Sequence, residues 1–145
     1  MRAAIYRGPG EIRIEDVPRP EIEESKDAIV RVTHTAVCGS DLWFYRGDSD
    51  REDGSRVGHE PMGVVESVGD GVRSVEPGDR VFAPFKMSCG SCEFCRKGLY
   101  TSCESGASLS GDNGGGQGEY IRVSHADGTL VRVPDRHADD EDTLR

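Results

Sequence analysis

Cys89-Gly90-Ser91-Cys92-Glu93-Phe94-Cys95, closed by Cys103, is the stretch from which the chain is best read. Four of its five cysteines stand there, in the pattern C-x2-C-x2-C-x7-C. Four thiolates so close in sequence can surround one tetrahedral Zn²⁺ at about 2.3 Å per Zn–S bond, which leaves no open coordination position. A closed site of this kind holds a lobe together, here residues 86–104, and turns over no substrate. Chemistry is therefore to be sought elsewhere, beginning at the fifth cysteine, Cys38.

Composition narrows the classes. The 145 residues suffice for one domain with its own core. A hydrophobic fraction of 34% with 19 glycines suits a loop-rich β domain better than a helical bundle. The net charge of −9 argues against nucleic acid, because no basic patch is available to displace counterions from phosphates. No apolar run is long enough to cross a bilayer, and the start, Met1 to Tyr6, lacks the pattern of a secretory signal. The expected compartment is the cytoplasm, where thiols stay reduced and clustered cysteines read as metal ligands.

Periodicity predicts strands at 3–6 and 11–17 around Gly8-Pro9-Gly10, then a strong one from Asp27 to Val37 rich in β-branched residues. Leu42 to Tyr45 is expected to make one helical turn. Further strands are expected at 64–68, 80–83 (after the turn Glu76-Pro77-Gly78-Asp79), 120–124 and 129–133. Residues 105–118 read as loop, with the Gly-rich 111–118 as a flexible connector, and 139–145 as the start of a helix. There is no internal repeat and no GxGxxG or GxxxxGK[ST] phosphate-binding turn.

Cys38 closes the third expected strand, and Gly58-His59-Glu60 follows after a polar loop. Singly, such a cysteine is a small buried hydrophobe and such a histidine a surface residue. A Cys, a His and a carboxylate brought together from separate loops instead make an open zinc site, with a position left for water or substrate.

Cys38-Gly39-Ser40-Asp41, Gly58-His59-Glu60-x2-Gly63-x5-Gly69-x2-Val72, Pro77-Gly78-Asp79 and the four-cysteine lobe occur in an order that resembles the zinc-containing alcohol dehydrogenases of the medium-chain dehydrogenase/reductase superfamily. The resemblance is to their N-terminal GroES-like catalytic domain and spans essentially the whole chain, 1–145. It implies a mainly β fold, a partly open β-barrel with a zinc-binding loop lobe and short helices. Cys89, Cys92, Cys95 and Cys103 match that family's structural zinc ligands. Cys38 and His59 look like two ligands of a catalytic zinc, and Glu60 like the acidic neighbour that binds the metal or stands just behind it. Ser40 matches the hydroxyl that links the alcohol to a proton relay. Phe85 resembles an aromatic wall of the substrate pocket, with Trp43 or Phe44 beside it.

The implied activity is NAD(P)-linked oxidation of an alcohol to an aldehyde or ketone by a homo-oligomeric parent enzyme, with no nucleic acid or membrane partner. Two departures stand out. Trp43 occupies the place where many relatives carry a proton-relaying His, so the proton needs another route. The resemblance also implies a third catalytic ligand, a nicotinamide-binding Rossmann domain and returning strands beyond Arg145, so the chain as given is expected to be inactive alone. A zinc-stabilised binding module or a gene fragment without catalysis is the alternative. His34, His125 and His137 read as ordinary structural or exposed histidines, and the acids of 135–142 as a solvated face.

Overall fold

The computed structural model describes residues 1–109 and 114–134. β1 (Arg2–Gly8) and β2 (Glu11–Asp16) form an antiparallel hairpin across the Gly-Pro-Gly turn, in the register Ala4 opposite Ile14. A second antiparallel sheet has five strands in the order β6-β3-β4-β5-β7. These are β3 (Ala28–Thr35), β4 (Pro61–Val68), β5 (Arg80–Phe82), β6 (Tyr120–Val123) and β7 (Val131–Arg132). Isolated bridges, Ala3 with Gly118 and Ile5 with Arg56, tie the hairpin to the rest. The sheets are open, and the described strands close no barrel.

β3 and β4 form the spine. β4 buries Pro61, Gly63 and Val65 on one face, with period two. Register shifts at Ile29/Val30 and Val32/His34 bend the pair. The bend lets the chain leave β3 at Thr35, two residues before the predicted end, and bond Ala36 N–H to the Glu60 carbonyl at 3.3 Å. That bond brings the segment carrying Cys38 beside the segment carrying His59.

The main core lies under the five-stranded sheet, with Val30, Val65, Val81, Ile121, Val123 and Leu109 all buried. A smaller cluster of Ala4, Tyr6, Phe44 and Val57 seats helix α1 (Asp41–Arg46). There Tyr6 meets Phe44 edge-on, with ring centroids 5.4 Å apart. The cysteine lobe carries α2 (Glu93–Arg96) and a 3-10 turn, Tyr100–Ser102. Its neck is a short ladder in which Met87 N–H bonds Ala107 O at 2.8 Å and Leu109 N–H bonds Phe85 O at 3.0 Å.

Two expectations need correction. The predicted strand 129–133 is shorter, because Ala126–Thr129 is a helical turn, α3, and only Val131–Arg132 joins the sheet. The cause is the Thr129 hydroxyl, which accepts from Ser88 N–H at 3.0 Å and fastens that turn to the root of the lobe. The part of the Gly-rich segment described here, 114–118, is also no loose connector: Gly114 is buried against Ile121 of β6, and Gly115 and Gly116 against the segment 56–61 that carries His59. His137, the acids of 135–142 and the helix expected at 139–145 lie outside the described residues.

Candidate metal centres

The four lobe cysteines converge. Their sulfurs all lie within 4.8 Å of one another. Cys89 to Cys95 and Cys92 to Cys103 are each 4.0 Å, close to the S···S edge of about 3.8 Å that tetrahedral zinc with 2.3 Å bonds requires. The surrounding backbone is set for thiolates. Cys89 Sγ accepts from Cys92 N–H at 3.3 Å, and Cys103 Sγ from Cys89 N–H at 3.2 Å. The Ser91 N–H and hydroxyl, with the Cys92 N–H, draw the Cys89 thiol down to about 5. The Cys95 N–H lowers Cys92, whereas burial pushes Cys95, only 3% exposed, up to about 12. The donor set and its spacing fit one zinc ion.

The second group is assembled from two loops. Cys38 follows β3, and His59-Glu60 immediately precedes β4. One ligand atom from each of Cys38, His59 and Glu60 lies within 4.8 Å of the others. Cys38 and His59 are half-buried and Glu60 is exposed, so the group faces an opening. Ser40 joins it: its Oγ is 3.2 Å from His59 Nε2. One thiol, one imidazole and one carboxylate make a three-donor set that fits an open zinc site.

Behind these side chains stands Asp41, 4% exposed, to which the sequence alone assigns no role. Its Oδ2 accepts from Cys38 N–H at 3.0 Å. Its Oδ1 is 3.4 Å from His59 Nδ1 and is otherwise a buried oxygen without a hydrogen bond. A carboxylate facing Nδ1 favours a proton there and leaves the Nε2 lone pair on the open side, the orientation a metal-binding histidine needs. Asp41 could have been suspected, since it lies three residues before Phe44 and the two share the buried face of α1.

The Gly-rich segment supports this group directly. Gly58 adopts φ +93°, and a Cβ there would lie 2.5 Å from Gln117 Cγ and 2.7 Å from Gln117 N. A Cβ on Gly116 would lie 2.8 Å from the Pro61 ring. Backbone bonds from Gly116 N–H to Gly58 O at 2.8 Å and from Gln117 N–H to Val57 O at 2.9 Å lock the two segments together.

The aromatic candidates separate. Phe44 is a core residue, 6% exposed and packed on Tyr6, because it occupies the buried face of α1. Trp43 is 63% and Phe85 54% exposed. Phe85 borders a cavity of about 360 Å³ whose wall is Pro61, Met62, Phe82, Ala83 and Pro84, with Glu60 as its one charged side chain. Met62 and Phe82 are cross-strand partners in the β4–β5 register, so that apolar wall is made by the sheet.

The chain matches the family profile described as alcohol dehydrogenase GroES-like domain over residues 24–135. It is 41% identical over 136 residues to zinc-type alcohol dehydrogenase B of Aspergillus flavus, covering 93% of this chain and 32% of that protein. Among solved structures it is similar to alcohol dehydrogenase TADH from Thermus sp. ATN1, with TM-score 0.86 and 37% identity over 92% of this chain and 40% of that one. A zinc-binding dehydrogenase from Sinorhizobium meliloti 1021, described as putative and bound to NADP, gives TM-score 0.74 and 27% identity over 93% of this chain and 39% of that one. The chain thus spans about a third to two fifths of the length of these relatives.

Proposed function

Because this chain belongs to the alcohol dehydrogenase GroES-like domain family, we propose that it is the metal-bearing part of a zinc-dependent, NAD(P)-linked alcohol dehydrogenase. In this reading Cys38, His59 and Glu60 hold a catalytic zinc, and Cys89, Cys92, Cys95 and Cys103 a structural one. The observation that carries it is the convergence of Cys38, His59 and Glu60 from separate loops onto one opening, with Asp41 buried behind.

Zinc in that position supplies Lewis-acid polarisation of an alcohol hydroxyl. The protein's own residues do the rest. Ser40 Oγ, on the open side of His59, accepts the alcohol's proton as its own hydroxyl proton leaves. With Trp43 rather than an imidazole four positions before Gly47, the proton released by Ser40 passes to water at the exposed mouth. Phe85 and the wall of Pro61, Met62 and Phe82 take the hydrocarbon part of the substrate, an alcohol or the corresponding aldehyde or ketone. Asp41 holds the His59 ring in the orientation that presents Nε2.

The hydride acceptor, NAD or NADP, requires a grip on its pyrophosphate, normally a Gly-rich turn at a helix N-terminus. The 145 residues contain no such fingerprint, so on their own they are expected not to oxidise alcohols. The relatives' greater length is where that grip belongs. We place the enzyme in the cytoplasm as a homo-oligomer with small-molecule partners. Among the described residues no helix is long and apolar enough to cross a membrane.

The test joins this chain to the remaining portion of the NADP-bound Sinorhizobium meliloti relative and follows NADH or NADPH formation. Turnover that Cys38→Ser and His59→Ala each abolish supports the reading. Turnover that survives both substitutions refutes it.

A further inference from the structure

Gln117 lies 76 residues from Asp41 in sequence, yet its Nε2 is 3.3 Å from Asp41 Oδ2 and 3.4 Å from the Ala36 carbonyl. Both neighbours are acceptors, so the terminal atom between them is the amide nitrogen, with one hydrogen for each. The Gln117 backbone has little freedom to move. Its N–H bonds Val57 O at 2.9 Å, its carbonyl accepts from Ala4 N–H at 2.8 Å, and its Cγ packs where Gly58 leaves room for no Cβ.

From this geometry we infer that Gln117 is a positioning residue for the metal held by Cys38 and His59. It acts by fixing the rotation of the Asp41 carboxylate. Two donors, Cys38 N–H and the Gln117 amide, occupy Oδ2. Only Oδ1, buried and otherwise without a partner, is left to meet His59 Nδ1. Without the Gln117 donor the carboxylate can turn, and the ring loses the contact that keeps its proton on Nδ1. The same amide ties the Asp41 side chain to Ala36, on either side of Cys38, while the Gln117 N–H bonds Val57 O in the segment leading to His59, so one residue couples both loops. The inference rests on the metal-binding reading of Cys38 and His59 and assigns Gln117 no contact with substrate.

The test is cobalt(II) titration of the whole chain with and without Gln117→Met, which keeps length and removes the donor. Outer-sphere partners of metal-binding histidines typically govern a 10–100-fold range of affinity. The expected result is a loss of that size at the Cys38–His59 site, with the four-cysteine site in the same molecule unchanged. Nitrogen chemical shifts of the His59 ring should show the Nδ1-protonated tautomer in the parent chain and a mixture in the variant. Should Gln117→Met not fold, Gln117→Glu, which sets a second carboxylate beside Asp41, should weaken the same site, and the parent tautomer still stands as a check. Unchanged affinity in the variants, or an Nε2-protonated ring in the parent chain, overturns the inference. If instead Cys38→Ser leaves the cobalt spectrum of the parent chain unaltered, the metal reading itself falls and this inference falls with it.

Discussion

Asp41 Oδ1 lies 3.4 Å from His59 Nδ1, and it is a buried carboxylate oxygen with no hydrogen-bond donor of its own. An acceptor left in this state costs about 1–3 kcal/mol unless something satisfies it, and an imidazole protonated at Nδ1 does so. Asp41→Asn keeps the shape and removes the charge. Affinity for zinc or cobalt at Cys38 and His59 should then fall by about 10–100-fold, read by metal titration with the lobe site as internal reference. An unchanged affinity would show that the carboxylate does not orient the ring.

The lobe should bind zinc less tightly in acid. Zinc requires four thiolates. In the metal-free lobe Cys89, at about 5, is already ionised at neutral pH, and Cys95, at about 12, is not. Zinc must therefore displace at least the Cys95 proton. Apparent affinity should weaken by at least about tenfold for each unit that pH falls below 8. Competition with a chelator between pH 6 and 8 measures it, and a flat profile contradicts it.

Asp127 sets a different acid limb. Burial tends to raise its pKa, but the Arg73 N–H at 2.9 Å and the Ser74 N–H and hydroxyl, both at 2.8 Å, outweigh that and lower it. A lowered carboxyl pKa gives stability that is complete above the unfolded value near 3.9 and is lost as pH falls through the folded value below it. The carboxylate is solvent-exposed, so screening keeps the contribution to at most about 1 kcal/mol. Thermal melts from pH 2 to 5 should show Asp127→Asn with a shallower acid decline than the parent chain.

Gly58→Ala should be among the more damaging single methyl additions. The φ of +93° is unfavourable for any L side chain, and the new Cβ would run into the backbone nitrogen of Gln117. A loss of about 2–4 kcal/mol is expected, together with weaker metal binding at His59, its neighbour. Gly78→Ala has an equally positive φ of +99° but open space around it, and should lose less. Chemical denaturation of the two variants separates strain from collision.

Phe85→Ala should leave the fold nearly intact, since the ring is half-exposed. In the joined enzyme it should raise KM for benzyl alcohol about tenfold and leave ethanol almost unaffected, because only the larger substrate reaches that wall. Equal effects on both alcohols would remove Phe85 from the pocket.

Some of the chain was legible because the information is local. The hairpin, the strand from Asp27 and the helical turn after Ser40 follow from alternation, β-branched runs and turn residues. They appear where those patterns predict, to within two residues at most boundaries. Thr129 shows where that reasoning stops. Its β-branched run predicts a strand, yet its hydroxyl is claimed by Ser88, 41 residues away, and a helical turn results. Phe44 is a parallel case: as an aromatic beside a candidate site it suggests a pocket wall, but the periodicity of a short helix places it in the core beside Tyr6.

The sequence by itself determined which donor groups the two candidate sites offer. C-x2-C-x2-C-x7-C puts four thiols within reach of one another along a short loop, and Cys38 and Gly58-His59-Glu60 offer a thiol, an imidazole and a carboxylate. Tertiary structure alone decided how the second site is held. That Asp41 turns inward rather than outward depends on α1 docking through Phe44 onto β1. That Gln117 reaches Asp41 depends on the Gly-rich segment lying flush against the His59 loop. The Gln117 contact leaves no local pattern, because it joins residues 76 apart in sequence whose meeting is set by how sheet, helix and loop pack, not by the reach of the chain between them.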